Sequence, residues 1–510
     1  MPSPLTEPVK LPCGLVFPNR LVKAAMAEML ADRTTNLPTP DLVEAYHKWG
    51  QSGWGGLLTG NVQVDISHLG TPFDPSLPAD PYTSKHANTD LIKSYSRLAQ
   101  AAQEHSSTPC IVQLCHPGRQ SLRGAGHRGL CAPTIAPSAI PLTMGNGYLE
   151  RLVSWVTFPA PREMGVGDIE AVTARFVDAA RVMADAGFAG VELHGAHGYL
   201  IDQFLNLKTN HRTDTYGGSA TNRAKFVLDI IAQIRAVVPS SFCVGIKLNS
   251  ADHDHDDSGA FEDTMTQIGL LVDAGIDFLE ISGGSYSDPK MMGTDESNRP
   301  SSTKNREAFF LTFSHETRTR YPSLTLLLTG GFRTRAGAEA ALSQNACDLI
   351  GIGRPAAIAP HFPALMLDEE SGADEAGLRL GRVRDQYQGA WVGRVVGKVM
   401  EVVLGGMVKG VGAGMESVDP KKPQHGQNKA GALLVNIEGR RRNNSTYATK
   451  LPYPHNRATQ RKSEDEAASM ILGSEGLPAH IAQDQARFVT LYPMSFVRVG
   501  RQSKQQHKDT

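Results

Sequence analysis

The sequence predicts a parallel (β/α)8 barrel of the TIM type, preceded by an N-terminal hairpin and followed by a poorly structured C-terminal tail. Three observations predict it. Eight short apolar runs alternate with segments of helical period; the long loops all follow strands; and no Gly-x-Gly-x-x-Gly turn follows the first strand, where the competing doubly wound sheet would want one. The chain of 510 residues affords a large core, since such barrels commonly take about 250 residues. The barrel domain is expected over 1–370, a packing helix and Gly-rich linker over 371–415, and a largely disordered tail over 416–510.

Leu11 to Arg20 alternates apolar and turn residues, as a short hairpin does. Strands are expected at 21–26, 56–62, 109–115, 190–194, 242–248, 278–282, 324–329 and 347–352. Helices are expected at 39–52, 86–105, 168–186, 221–237, 261–274, 305–319, 334–343 and 355–368. Asp168 is placed as an N-cap, after which Ile169, Val172, Phe176, Ala180, Met183 and Ala186 form the stripe of a helix lying on a sheet. The loops 117–167, 198–220 and 285–304 fall on the face where strands end, the catalytic face of such barrels. The first of them, rich in Pro and Gly and containing Arg119, Arg123 and Arg128, is expected to frame a cofactor mouth, against the plainer reading of solvent-facing coil.

Composition narrows the partners. With 51 basic and 52 acidic residues the net charge is −1, which offers no electrostatic grip on nucleic acid or on an anionic membrane. Small-molecule substrates are the expectation, and the sequence leaves a homo-oligomer open. The start has no signal-like apolar run and no apolar segment is long enough to span a membrane, so the cytosol is the default compartment. Six scattered cysteines form no Cys-x-x-Cys pair and read as reduced thiols. The run GGMVKGVGAGM has the wrong glycine spacing for a nucleotide loop, and beyond Glu416 polar residues dominate.

The most chemically committed stretch is Gly190 to Arg223. Val191 to Leu193 reads as a buried strand ending at His194, and Gly195 and Gly198 make the following residues a tight loop. His194, His197 and Tyr199 supply donors that could grip a carbonyl oxygen and deliver a proton. A metal is the rival use of two histidines, but a zinc site wants further ligands and only His211 is near, so no metal is expected.

HGAHGYLIDQFL followed by NHRTDTYGGSATNR resembles the signature of the Old Yellow Enzyme family of FMN-dependent ene-reductases, through His194, His197, Tyr199, Asn210, Arg212, Thr213, Asp214, Tyr216, Gly217, Gly218, Ser219, Asn222 and Arg223. The resemblance covers roughly residues 8–368. It implies that His194 and His197 bind a substrate carbonyl beside the flavin and that Tyr199 donates a proton. It excludes the iron–sulfur subclass, because no Cys follows Cys347. Lys247 at the top of a buried strand would face the flavin, and Gln113, an amide inside an apolar strand, would pair with its edge. Gly330, Gly331, Gly353 and Arg354 would hold the phosphate at the ends of the last two strands. Ser282, Gly283 and Gly284 would approach the same ligand, Ala24, Ala25, Met26 and Ala27 would run beneath its ring, and Asn61 would face it. Ala27 stands where relatives often carry Cys or Thr, which should shift the flavin potential, and Met29 replaces an aromatic residue in the substrate pocket.

The implied activity is NADPH- or NADH-dependent reduction of the C=C bond of an α,β-unsaturated carbonyl compound, by ping-pong hydride transfer through FMN. The alternatives are a flavin oxidase or azo- or nitro-reductase of the same fold, and a catalytically defective FMN-binding barrel.

Overall fold

A computed structural model describes residues 3–78, 89–129, 131–145, 147–249, 258–282, 313–368 and 370. The expected segments 371–415 and 416–510, Gly283, Gly284 and the loop 285–304 lie outside the described residues.

Eight parallel strands close a barrel: β1 Leu21–Lys23, β2 Gly56–Gln63, β3 Cys110–Cys115, β4 Gly190–Gly195, β5 Cys243–Asn249, β6 Phe278–Ser282, β7 Leu326–Thr329 and β8 Leu349–Ile352. The strands neighbour one another in chain order, and β8 closes the ring by pairing Ile350 with Leu21. Every residue of β3, β4 and β5 is buried, because one face of each strand looks into the barrel and the other meets the helices. That double burial is why these strands read as continuous apolar runs rather than alternating ones.

The helices include α1 Pro40–Gly50, α2 Thr89–Gln103, α3 Tyr148–Thr157, α4 Val166–Asp185, α5 Leu200–Leu205, α6 Ala220–Arg235 and α7 Ser258–Asp273. Residues 313–320 form α8, followed by α9 Arg335–Ser343, α10 Arg354–Ile358 and α11 Phe362–Met366. Thr39 caps α1, its hydroxyl accepting from Leu42 N–H. The α4 stripe is buried as its spacing predicts. Asp168, however, is not the cap. It sits one turn in, where its carboxylate accepts from the N–H of the N-cap residue Gly165 at 2.8 Å, so the helix starts two residues earlier. The expected helix 355–368 is two short ones, parted at Ala359–Pro360–His361 because proline cannot continue a helix.

The first strand is shorter than the expected 21–26. Beyond Ala24, whose N–H still bonds Ile352 O, the chain turns off the sheet as Glu28 is captured by Tyr46 Oη at 2.5 Å and Gly60 N–H at 3.0 Å. The loop 117–167 is more than coil. It contains α3 and a small parallel sheet pairing Thr134–Ala136 with Pro161–Glu163. Its three arginines hold the loop together: Arg119 donates to Ile140 O, Arg123 to Val156 O and Trp155 O, and Arg128 to Ser67 O and Leu122 O. No helix among the described residues is long and apolar enough to cross a membrane.

The N-terminal hairpin pairs Val9–Lys10 with Val16–Phe17 and closes the barrel base. Leu11 and Phe17 pack beneath Val22, Leu58, Ile111, Phe278, Leu327 and Leu349. Gly56 leaves room for this: a Cβ there would lie 2.2 Å from Phe17 Cε1. Phe17→Ala should lower unfolding stability by about 3–5 kcal/mol, measured by urea denaturation, with little change at the opposite face.

Candidate active site

Strand β4 ends by delivering His194 to the mouth, and the four residues after Gly195 decide the geometry. His197 adopts φ 60 and Gly198 φ 75, so the backbone reverses through the left-handed region twice in succession. Tyr199 then stands as the N-cap residue of α5. The turn is held from outside. Asp202 accepts from Gly198 N–H at 2.6 Å and from Asn249 Nδ2 at 3.0 Å, while Asn249 Oδ1 accepts from His197 N–H and Gln120 donates to His197 O.

The two imidazoles form a directional row. Ala196 N–H donates to His194 Nδ1, which assigns the proton to His194 Nε2. Nε2 then faces His197 Nδ1 at 3.3 Å, and His197 Nε2 faces Ser282 Oγ at 3.1 Å. The Tyr199 ring stands edge-on to His194 at 4.6 Å, and Asn61 Nδ2 donates to Tyr199 Oη at 3.3 Å. Burial pushes His194 well below its ordinary value and His197 down to about 3, with the nearby Lys247 charge acting the same way. Both rings are therefore neutral donors at neutral pH. The sign is that of a depressed base: below about 6.5 the unfolded state takes protons that the folded state refuses, so both histidines cost stability as pH falls below that value, His197 down to about 3. Activity should show no inflection near 6.5 attributable to either ring, checked by a pH–rate profile with enone.

Below the mouth, the interior carries a polar ladder. Register places Gln113 beside Glu192 and Lys247 beside Glu280. Gln113 Nε2 donates to Glu192 at 2.5 Å, and Lys247 Nζ lies 3.0 Å from Glu280 Oε1. Burial raises the Glu192 carboxyl well above the usual range, and the Glu280 charge adds to it. Burial alone would lower Lys247, but neighbouring acidic side chains, Glu280 foremost, outweigh it and raise the lysine. Lys247 thus remains charged, with Glu280 as its ion-pair partner.

The remaining expected residues gather at the same end. Ala24 is buried, Ala27 exposed, and Ala25, Met26 and Met29 half-buried along the segment after β1, where Met29 adopts φ 56. Gly330 and Gly331 follow β7 with φ 156 and 78, and Gly353 and exposed Arg354 open α10 after β8. A Cβ at Gly353 would meet only Met26 Sδ, 3.9 Å away, so the backbone there is not packed over by neighbouring atoms. A donor amide at Gln113, a retained cation at Lys247 and two glycine turns, one of them unobstructed at Gly353, fit a flavin mononucleotide.

The second half of the sequence signature builds the loop instead of lining the site. Asn210 donates to Phe204 O and Tyr216 O, Arg212 pairs with Asp214, and Arg223 reaches Leu205 O and Asp263. Sequence reasoning missed Asp202, Asn249, Gln120, Glu192 and Glu280. The signals were available as buried-type strands and helices carrying isolated acids and amides. Asp65, which accepts from His68 at 2.9 Å and lies 3.8 Å from His116, is a further buried hub. Burial would raise its carboxyl, but His116 and His68 outweigh that and hold it far below the usual range. Gly118 N–H donates to His116 Nδ1, so the other ring nitrogen carries its proton toward Asp65.

Asp202→Ala removes both acceptor contacts of the turn, and should lower enone turnover by about 10–100-fold without loss of bound flavin, checked by steady-state kinetics on the yellow protein.

Residues 4–368 match the sequence profile of the NADH:flavin oxidoreductase / NADH oxidase family. The chain is 44% identical over 361 residues to NADH-dependent flavin oxidoreductase iliE of Hypocrea jecorina, covering 71% of this chain and 88% of that one. It is 29% identical over 359 residues to 12-oxophytodienoate reductase 7 of Oryza sativa subsp. japonica, covering 69% and 84%. An Old Yellow Enzyme homologue from Zymomonas mobilis superposes with TM-score 0.57 at 24% identity, over 73% of this chain and 94% of that chain, a likeness of fold.

Proposed function

Because the chain belongs to the NADH:flavin oxidoreductase / NADH oxidase family, an oxidoreductase of the Old Yellow Enzyme type that uses FMN, we propose that it reduces the activated C=C bond of an α,β-unsaturated carbonyl compound. The observation that carries this reading is the donor row of His194 and His197 with the Tyr199 hydroxyl beside it.

FMN would be held by the segment Ala24 to Ala27, by Asn61, Gln113, Lys247 and Ser282, and by Gly330, Gly331, Gly353 and Arg354 at its phosphate. When bound, it supplies the hydride that it has taken from NADH or NADPH. The protein's own residues do the rest. A carbonyl oxygen would replace His197 Nδ1 as the acceptor of His194 Nε2–H and Ser282 Oγ as the acceptor of His197 Nε2–H, and the two neutral imidazoles would favour negative charge on it as the double bond is reduced. Ser282 Oγ, 3.1 Å from His197 Nε2, accepts that donor when no substrate does. Tyr199 Oη delivers the proton to the α-carbon. Asn61, donating to that oxygen, favours the phenolate left behind. Met29 and Ala27 line the approach to the mouth.

The test is an anaerobic absorbance spectrum of the purified yellow protein. NADH or NADPH should bleach the flavin band, and cyclohexenone should restore it. A band that bleaches and is restored by oxygen or an azo dye but not by enone would replace this reading with the oxidase or azo-reductase one. A protein that holds no FMN would leave a defective barrel.

A further inference from the structure

The end of the barrel away from the mouth carries a second reactive group. Cys243 is the first residue of β5, fully buried in the base cluster, and Cys13 sits half-buried in the turn of the hairpin that plugs the base. Their sulfurs and an Asp277 carboxylate oxygen all lie within 4.8 Å of one another. The turn is pinned where it is: Asp277 accepts from Cys13 N–H at 2.9 Å and from Val244 N–H at 2.8 Å, and pairs with Arg235 at 2.7 Å. Those three donors use the carboxylate and set a cation beside it, which disfavours a metal ion and leaves the two thiols facing each other.

We propose that Cys13 and Cys243 form a peroxide-responsive dithiol that locks the hairpin plug to the barrel wall. The two sulfurs are suited to different parts. Hydrogen bonding from Cys243 lowers the Cys13 thiol, ahead of the burial that opposes it, while burial pushes the Cys243 thiol well up. Cys13, the more accessible, is the attacking thiolate, and Cys243 is the resolving thiol.

In the first step the Cys13 sulfur attacks one peroxide oxygen, the O–O bond breaks, and the other oxygen leaves as hydroxide that takes a proton to become water. Cys13 is then a sulfenic acid. In the second step the Cys243 sulfur attacks the Cys13 sulfur, the S–O bond breaks, and the hydroxyl leaves as water with the Cys243 proton. Two thiols are oxidised to one disulfide, and one peroxide is reduced to two waters.

The experiment uses the FMN-loaded full chain carrying Cys131→Ser, which removes the exposed thiol. Hydrogen peroxide is added, free thiols are alkylated under denaturing conditions without reductant, and peptides are mapped by mass. The expected product joins the Cys13 and Cys243 peptides, about 2 Da lighter than their sum, and is reversed by dithiothreitol. Its formation should raise the melting midpoint, because the bond closes a loop of about 230 residues. Cys243→Ala should arrest Cys13 as a sulfenic acid that dimedone traps, and Cys13→Ala should leave Cys243 alkylatable. The proposal is overturned if Cys13 oxidises to the sulfinic acid without joining Cys243. It is equally overturned if Cys13 remains alkylatable under peroxide that oxidises a free peptide thiol. Mapping the Cys131→Ser protein decides the matter even where the core Cys243→Ala variant fails to fold.

Discussion

Tyr199→Phe lowers the enone half-reaction by about 10²–10⁴-fold and leaves the reduction of bound FMN by NADH near its original rate. The asymmetry follows from what the hydroxyl can reach. Asn61 Nδ2 donates to its oxygen at 3.3 Å, and its ring packs edge-on against His194, so the change removes the proton and that hydrogen bond while keeping the aromatic contact. Stopped-flow absorbance separates the two half-reactions. Equal loss in both would mean that the substitution disturbed the flavin site, and no loss in either would favour the oxidase or azo-reductase reading, in which the hydroxyl proton has no part.

Lys247→Met has the second large effect, and here two roles of one cation must be separated. The lysine is buried and 3.0 Å from buried Glu280, with the Glu192 carboxyl close enough to raise it. Removing it leaves an anion without its partner in the barrel interior, a loss of about 3–5 kcal/mol, partly relieved if Glu280 takes up a proton. Urea denaturation of the flavin-free protein measures this loss. FMN affinity, read from flavin fluorescence, should also fall. The double variant Lys247→Met with Glu280→Gln should regain much of the stability and none of the affinity. Recovery of both would make the lysine a structural counter-ion only.

The barrel was legible in the sequence because a strand buried on both faces has to be continuously apolar, and eight such runs leave little choice of architecture. β3, β4 and β5 were placed within one residue at each end. Ends defined by a captured side chain were not legible. Asp168 caps from one turn inside α4, and Glu28 draws the chain off the sheet after β1 through partners as distant as Gly60. The histidines and tyrosine were visible because they lie within six residues of sequence. Their supports were not, since Asn249 reaches His197 only through the adjacency of β4 and β5. For the same reason Lys247 was read as needing an outside anion, whereas strand register supplies Glu280 from its neighbour.

The backward turn at residue 197 restricts what evolution can write there. With φ 60 in a chain of L-residues, a branched or bulky aliphatic side chain would be strained, and the residues that tolerate this region best are glycine, asparagine, aspartate and histidine. Among these, aspartate would set a negative charge where the function proposed above accumulates charge on a carbonyl oxygen, and glycine would bring no donor at all. Only histidine and asparagine satisfy both the backbone and the chemistry. The vocabulary at that position is thus two words long before any substrate is considered, and substrate range has to be tuned elsewhere around the mouth.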